Sequence, residues 1–327
     1  MIRFGIIGTN DISDWVLKGA ALDPRFELSA VYSRTIERAK AFAAKYEVSK
    51  CYTDFEAMSA EIDAVYIASP NALHAEQSMY FLERGIHVLC EKPLCSNARE
   101  AKKMIETAHK HHTVLMEAMI STLNPNFLAL KENLYRIGTV RKYYASFCQY
   151  SSKYDLFKQG MIDNKFKKEL SGGALMDIGV YTIYPLIVLF GRPETIQASA
   201  YLLSSGVDGS GAALMTYPGM DAMASYSKIS ASLACAEIQG EEGSLIIDRI
   251  NIPRQLRFIP IKGAPLDLSA AHCGNDYFYE IKAFIDLIES NRIEHEINSH
   301  DHSLAVMELM DEIRRQIGLV YPADLSI

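Results

Sequence analysis

Glu91-Lys92-Pro93 follows the apolar run His87-Val88-Leu89-Cys90, which reads as a strand. A strand that delivers a charged pair and stops at a proline sets those side chains at its carboxyl end. In open α/β sheets that end is where ligands bind. Lys92 is therefore a candidate for contact with a ligand. The plainer alternative is a surface Lys-Pro turn.

A second group of residues could hold a nucleotide. Ile2-Arg3-Phe4-Gly5-Ile6-Ile7 has a buried-strand pattern, and Gly8-Thr9-Asn10-Asp11-Ile12-Ser13 follows it. Strand, tight glycine turn and helix form the phosphate-binding unit of a dinucleotide fold. The match to G-x-G-x-x-G is incomplete, because Asn10 and Ser13 stand where the second and third glycines belong. Asn tolerates positive φ better than most residues, and Ser is small enough for close helix packing. An ordinary strand-turn-helix is the competing reading.

The end of the second strand separates the two readings. An NAD-selective fold places Asp or Glu there for the ribose 2′-hydroxyl, whereas an arginine accommodates a 2′-phosphate. This chain has Tyr32-Ser33-Arg34 and no acid, with Arg38 four residues past Arg34. The two guanidinium groups could face one phosphate. NADP(H) is expected over NAD(H). Two arginines solvating a helix start remain the alternative.

Composition limits the remaining options. The chain has 327 residues, 49% hydrophobic and 22% charged, with a formal net charge of −7 and a pI of about 5.8. That length suits two domains. The negative balance argues against nucleic acid or an anionic membrane as the main partner. Gly5, Gly8, Asn10, Asp11 and Asp14 interrupt any N-terminal apolar stretch. The six cysteines, at 51, 90, 95, 148, 235 and 273, form no C-x-x-C pair. His109, His111 and His112 suit a helix C-terminus, so no metal is expected. Unpaired cysteines point to a reducing, cytoplasmic setting.

The elements that must position these residues fall into two patterns. Residues 1–121 alternate strand candidates (2–7, 27–32, 64–68, 87–90, 113–117) with helical segments, which implies a parallel, doubly wound sheet. Asn97 and Glu100 are spaced as a capping box for the helix after the Lys-Pro turn. Residues 122–327 carry strand-like runs at 140–151, 195–204, 212–217, 222–229, 234–239 and 243–248. These predict an antiparallel meander, with a helix over 174–190 between the first two runs and two terminal helices, 277–290 and 302–317. The expected architecture is a Rossmann α/β domain followed by an α+β domain with a large open, mainly antiparallel sheet. The terminal helices are expected to fold back on the first domain.

Four local patterns now stand in order: the Gly8 turn, Ser69-Pro70-Asn71-Ala72-Leu73-His74, Glu91-Lys92-Pro93, and Gly172-Gly173-Ala174-Leu175-Met176-Asp177-Ile178-Gly179-Val180-Tyr181. In this order and spacing the chain resembles, over essentially its whole length, the Gfo/Idh/MocA family of NAD(P)-dependent oxidoreductases. The resemblance implies cofactor-lining roles for Ser69, Asn71 and His74, with Glu91 and Lys92 also at the cofactor. It implies that Lys92 is the catalytic lysine, beside nicotinamide and substrate, and that the bond to Pro93 is often cis. Asp177 and Tyr181 lie four apart and would share a helix face. Many family members have histidine at the position of Tyr181. Tyrosine is more like the glucose-fructose oxidoreductase and dimeric dihydrodiol dehydrogenase branches.

An unperturbed phenol has a pKa of about 10, so Tyr181 needs a nearby cation to act near neutrality. In this reading Lys92 stabilises a developing alkoxide, Tyr181 carries the proton, and Asp177 holds a substrate hydroxyl or orients Lys92. The implied activity is hydride transfer between NADP(H) and a secondary alcohol or carbonyl of a sugar, polyol or cyclic diol. A non-catalytic NADP-binding regulator on the same fold is the alternative, although such a protein would be expected to lack Lys92 or its partners. A homo-oligomer, a homodimer or higher, formed through the second sheet is expected.

Overall fold

The computed structural model describes residues 1–325. They form two compact units, residues 1–119 with 273–303, and residues 120–272 with 304–325.

The first unit contains β1 (Ile2–Ile7), α1 (Asp11–Ala20), β2 (Phe26–Tyr32), α2 (Ile36–Ala43), β3 (Cys51–Tyr52), α3 (Phe55–Ser59), β4 (Ala64–Ile67), α4 (His74–Leu82), β5 (His87–Glu91), α5 (Ala98–His111) and β6 (Leu115–Ala118). Every strand pair is parallel, and the strand order is β3-β2-β1-β4-β5-β6. This is a doubly wound Rossmann sheet. Its central strands are apolar along their length because helices cover both faces. Phe4, Ile6, Val65, Ile67, Val88 and Leu89 are fully buried.

The helices start where the sequence provides caps. Asn10, Thr35 and Asn97 each accept a hydrogen bond from the amide three residues on. Glu100 reaches back to the Ser96 amide at 2.9 Å, completing the capping arrangement ahead of α5. A later helix, α9 (Tyr277–Glu289), packs against α1 within this unit. The approach is close at Gly19, where an added Cβ would lie 2.8 Å from the Phe278 nitrogen.

The second unit holds α6 (Pro125–Asn133), β7 (Val140–Cys148), α7 (Tyr154–Lys158), α8 (Val180–Phe190), β8 (Thr195–Leu202), β9 (Asp208–Tyr217), β10 (Met220–Ser227), β11 (Ala236–Gly240), β12 (Gly243–Ile247), β13 (Leu256–Pro260) and β14 (Leu266–Asp267). Helix α10 (His300–Ile317) starts in the first unit and continues in the second, and α11 (Pro322–Leu325) follows. The eight-stranded sheet has the order β14-β13-β12-β11-β7-β10-β9-β8.

This sheet differs from the expected simple meander. β7 sits in the middle and pairs with β10 in parallel, while the other neighbours are antiparallel. A parallel pair requires a crossover. After β7 the chain runs through α8 to the far edge and returns by β8 and β9. β13 and β14 were not foreseen, because neither short run alternates clearly. The helix expected over 174–190 is also divided, with a π-helical turn over Leu175–Gly179 preceding α8.

One face of the sheet is buried and the other is open. Met215, Ala222, Tyr143, Ile238, Leu245 and Phe258 form a buried row across five strand pairings. The Tyr143 hydroxyl donates to the Thr182 carbonyl of α8 at 2.9 Å, which places the helix layer on that face. Side chains alternate between faces, so the adjacent row is exposed. Leu214 and Met223 lie there, each about 40% exposed. The helical stretch Lys168–Phe190 is long and apolar enough to cross a membrane by composition alone, yet 78% of its apolar window is buried inside the protein.

Candidate active site

The nucleotide turn is built by Gly8, Asn10 and Ser13. Gly8 has φ +107, and a Cβ there would lie 2.5 Å from the Ala68 carbonyl oxygen, so only glycine fits. Asn10 differs from expectation. It is extended, with φ −121, and needs no left-handed conformation. Its amide instead donates to the Ala68 carbonyl at 2.8 Å, while its oxygen caps α1. Ser13 is fully buried and donates to the Gly8 carbonyl at 2.6 Å. Hydrogen bonds thus close the turn where the usual motif relies on glycines. Thr9 and Ile12 are half-buried beside it.

At the end of β2, Ser33 is buried, and Arg34 and Arg38 are exposed. Among the described residues no carboxylate pairs with either arginine. Two uncommitted guanidinium groups, a glycine turn and the N-terminus of the ten-residue helix α1 fit a dinucleotide that carries a 2′-phosphate.

The Ser69 and Lys92 loops are joined through His74. Both imidazole nitrogens of this buried residue face backbone carbonyl oxygens: Nδ1 that of Pro93 at 3.0 Å, and Nε2 that of Ser69 at 2.9 Å. Burial lowers its pKa, against the pull of these carbonyls. His74 is therefore a strap between loops. Ser69 pairs with Gln77 at 2.7 Å, and Asn71 is half-buried in a short 3₁₀ turn.

The Lys92–Pro93 bond is cis. Glu91 accepts a hydrogen bond from the buried Tyr66 hydroxyl. Nearby, burial first and Glu91 second raise the Glu280 carboxyl well above its usual range. Glu117, paired in register with Cys90, accepts the Leu94 amide at 3.0 Å. Burial pushes Glu117 up to about 7, while Ser303, the Leu94 amide and Lys92 favour its charged form.

In the second unit, Gly173 has φ +126, and its hydrogen side faces Asp208. The buried Asp208 carboxylate accepts the Leu175 amide at 2.7 Å, and burial raises its pKa to about 6. Asp177 lies within the π-helical turn and pairs with Lys228, with Lys165 at 3.9 Å from the same oxygen. Tyr181 stands in the first turn of α8, its ring edge-on to Phe147 with centroids 5.6 Å apart. Single wide turns of this kind are frequent at functional sites.

Sequence reasoning missed Lys228, Asp208 and Glu117. Asp208 opens β9, Glu117 lies within the buried strand β6 and Lys228 directly follows β10, so the available signal was a charge in or beside a strand-like run. The histidines also gained a contact that spacing could not show. His109 Nε2 lies 3.2 Å from Nδ1 of His300, with Glu294 beside them.

Residues 2–119 match the oxidoreductase family with an NAD-binding Rossmann fold, and residues 133–246 match the GFO/IDH/MocA C-terminal domain. The chain belongs to the GFO/IDH/MocA family. It is 50% identical, over 99% of both chains, to scyllo-inositol 2-dehydrogenase (NADP(+)) IolU of Bacillus subtilis. It is 30% identical to trans-1,2-dihydrobenzene-1,2-diol dehydrogenase of Xenopus tropicalis, over 98% of this chain and 99% of that one. Its fold matches KijD10, a 3-ketoreductase of Actinomadura kijaniata solved with NADP and TDP-benzene. The TM-score is 0.84 at 27% identity, covering 97% of this chain and 98% of that chain. This GFO/IDH/MocA protein is accordingly an NADP(H)-dependent oxidoreductase acting on CH–OH groups of small molecules.

Proposed function

We propose that the chain oxidises a secondary hydroxyl of a cyclic polyol, with scyllo-inositol as the first candidate, and reduces the matching ketone in reverse. The observation that carries this reading is the full-length 50% identity to the NADP(+)-dependent scyllo-inositol dehydrogenase. The residues found here suit the chemistry. Bound NADP(H) exchanges a hydride with the substrate carbon. Gly8, Thr9, Asn10, Ile12, Ser69, Asn71 and Glu91 line the nucleotide, and Ser33, Arg34 and Arg38 hold its 2′-phosphate.

In this reading Lys92 offers its ammonium to the alcohol oxygen and stabilises the charge that develops there. Tyr181 removes the hydroxyl proton in oxidation and returns it in reduction. Asp177 accepts a hydrogen bond from a neighbouring hydroxyl and so fixes which carbon reacts. The proton therefore moves through the phenol oxygen, and the carboxylate serves binding and orientation. A domain boundary near residue 121 separates the nucleotide residues from the substrate residues.

The same reading includes a homodimer. The open face with Leu214 and Met223 exposed suits a second copy, because exposed apolar rows on a sheet mark association surfaces. Light scattering at micromolar concentration should report twice the chain mass.

The test of activity is NADP+ reduction, followed by absorbance, over scyllo-inositol, other inositols, aldoses and a cyclic trans-diol. Turnover of a cyclic polyol above the rest is the expected result. Turnover of none of these compounds would sink the substrate assignment.

A further inference from the structure

We infer that Lys228 is a positioning residue for Asp177, and that the open end of the β9–β10 hairpin is the device that fixes this carboxylate. The inference rests on the reading that Asp177 meets the substrate.

Lys228 follows the last residue of β10, and its side chain is only 3% exposed. Its ammonium pairs with Asp177 Oδ2 and sits over the Phe166 ring, 4.9 Å from the centroid. Its backbone is held on both sides. The Lys228 amide donates to the Gly209 carbonyl at 2.9 Å, and its carbonyl accepts the Ser151 amide at 2.8 Å. A buried ammonium without an anion is costly, so the pair is strongly coupled.

The other strand of the hairpin acts on the backbone of the same turn. Asp208, next to Gly209, accepts the Leu175 amide two residues before Asp177. One hairpin end thus fixes both the backbone and the side chain of Asp177. Among the described residues, Lys165 lies 3.9 Å from Asp177, and the charge of Asp208 is felt by Lys228, Tyr226 and Tyr321.

The consequence is chemical. Lys228 sets a cation against Asp177 and aims it through Oδ2. A carboxylate offers about four acceptor sites, more than one ammonium occupies, and in the proposed reading a substrate hydroxyl donates to it. A neutral polyol, rich in hydroxyl donors, is the substrate class such a fixed acceptor recognises.

The experiment measures kcat/KM and its pH profile for Lys228→Met, Lys228→Arg, Asp177→Asn and the double variant Lys228→Met/Asp177→Asn. Thermal midpoint and NADPH binding are recorded for each. The substrate is the best one in the panel above. Lys228→Met should lower kcat/KM by up to about a hundredfold, because a small misplacement of a group that positions the substrate can cost that much. Its acid limb should move to higher pH, because the Asp177 carboxyl has lost the nearer of its two cations, Lys165 lying at 3.9 Å. Lys228→Arg should restore most activity and leave the limb in place.

In the Asp177→Asn background, Lys228→Met should cost less than about twofold, since coupled residues are not additive. A Lys228→Met enzyme within about twofold of the parent, or an equal loss in both backgrounds, would overturn the inference. If Lys228→Met does not fold, the double variant decides, because it removes both members of the Lys228–Asp177 pair. A further loss of about tenfold relative to Asp177→Asn would then overturn it. Parent-level activity in Asp177→Asn would instead overturn the reading of Asp177 itself.

Discussion

Glu117 accepts the Leu94 amide at 3.0 Å inside the first unit, two residues past Lys92. The carboxyl is fully buried, and its pKa is pushed to about 7 from an ordinary value of 4.5. The folded state therefore favours the protonated form. The stability this gives is fully present below about 4.5 and is lost as pH rises through about 7. The shift corresponds to roughly 3 kcal/mol. Glu117→Gln should flatten the pH dependence of stability in that window, read by chemical denaturation at pH 4.5, 6 and 7.5. An unchanged slope would show that Glu117 is not the titrating group.

Arg34 and Arg38 are exposed, with no carboxylate partner among the described residues. Removing a charge-assisted hydrogen bond costs about 1.5–3 kcal/mol. Arg34→Ala should weaken NADPH binding about tenfold or more and leave NADH binding nearly unchanged. Fluorescence titration with both nucleotides checks this. Equal losses for the two would place Arg34 away from the 2′-phosphate.

Gly173→Ala tests the Asp208 clamp. The new methyl would lie 2.1 Å from Asp208 Oδ1, at φ +126. Backbone strain alone costs about 1–3 kcal/mol, and the clash displaces a buried carboxylate. Thermal unfolding should show a clear loss of stability. If Asp208 instead moves aside at little cost, the loss will be no larger than the backbone strain alone gives.

Much of this was legible in the sequence. The Rossmann unit was readable because its strands are continuous apolar runs separated by helical periods, with Asn97 and Glu100 spaced as a capping box. The Lys92 loop was readable because the strand before it ends in a charged pair and a proline. The pairing of β7 with β10 was not, since local patterns carry no information about a crossover. Within the π-helical turn around Asp177, Gly179 lies against the Tyr226 ring, where an added Cβ would meet ring atoms at 3.0 Å, a packing that local sequence does not display. Lys228 and Asp208 looked like ordinary strand-end charges. Only the three-dimensional arrangement shows that they converge on one turn.

The central claim is that Lys92 acts in hydride transfer from a polyol. The direct measurement is turnover of NADP+ by Lys92→Met on the best polyol substrate, with NADPH affinity measured in parallel. Loss of an oxyanion-stabilising group typically costs about 10²–10³-fold in turnover. The expected result is a loss of at least that size, with NADPH binding kept within a few-fold, because the Gly8 turn and Arg34 are untouched. Turnover within a few-fold of the parent would contradict the claim and make Lys92 a structural residue.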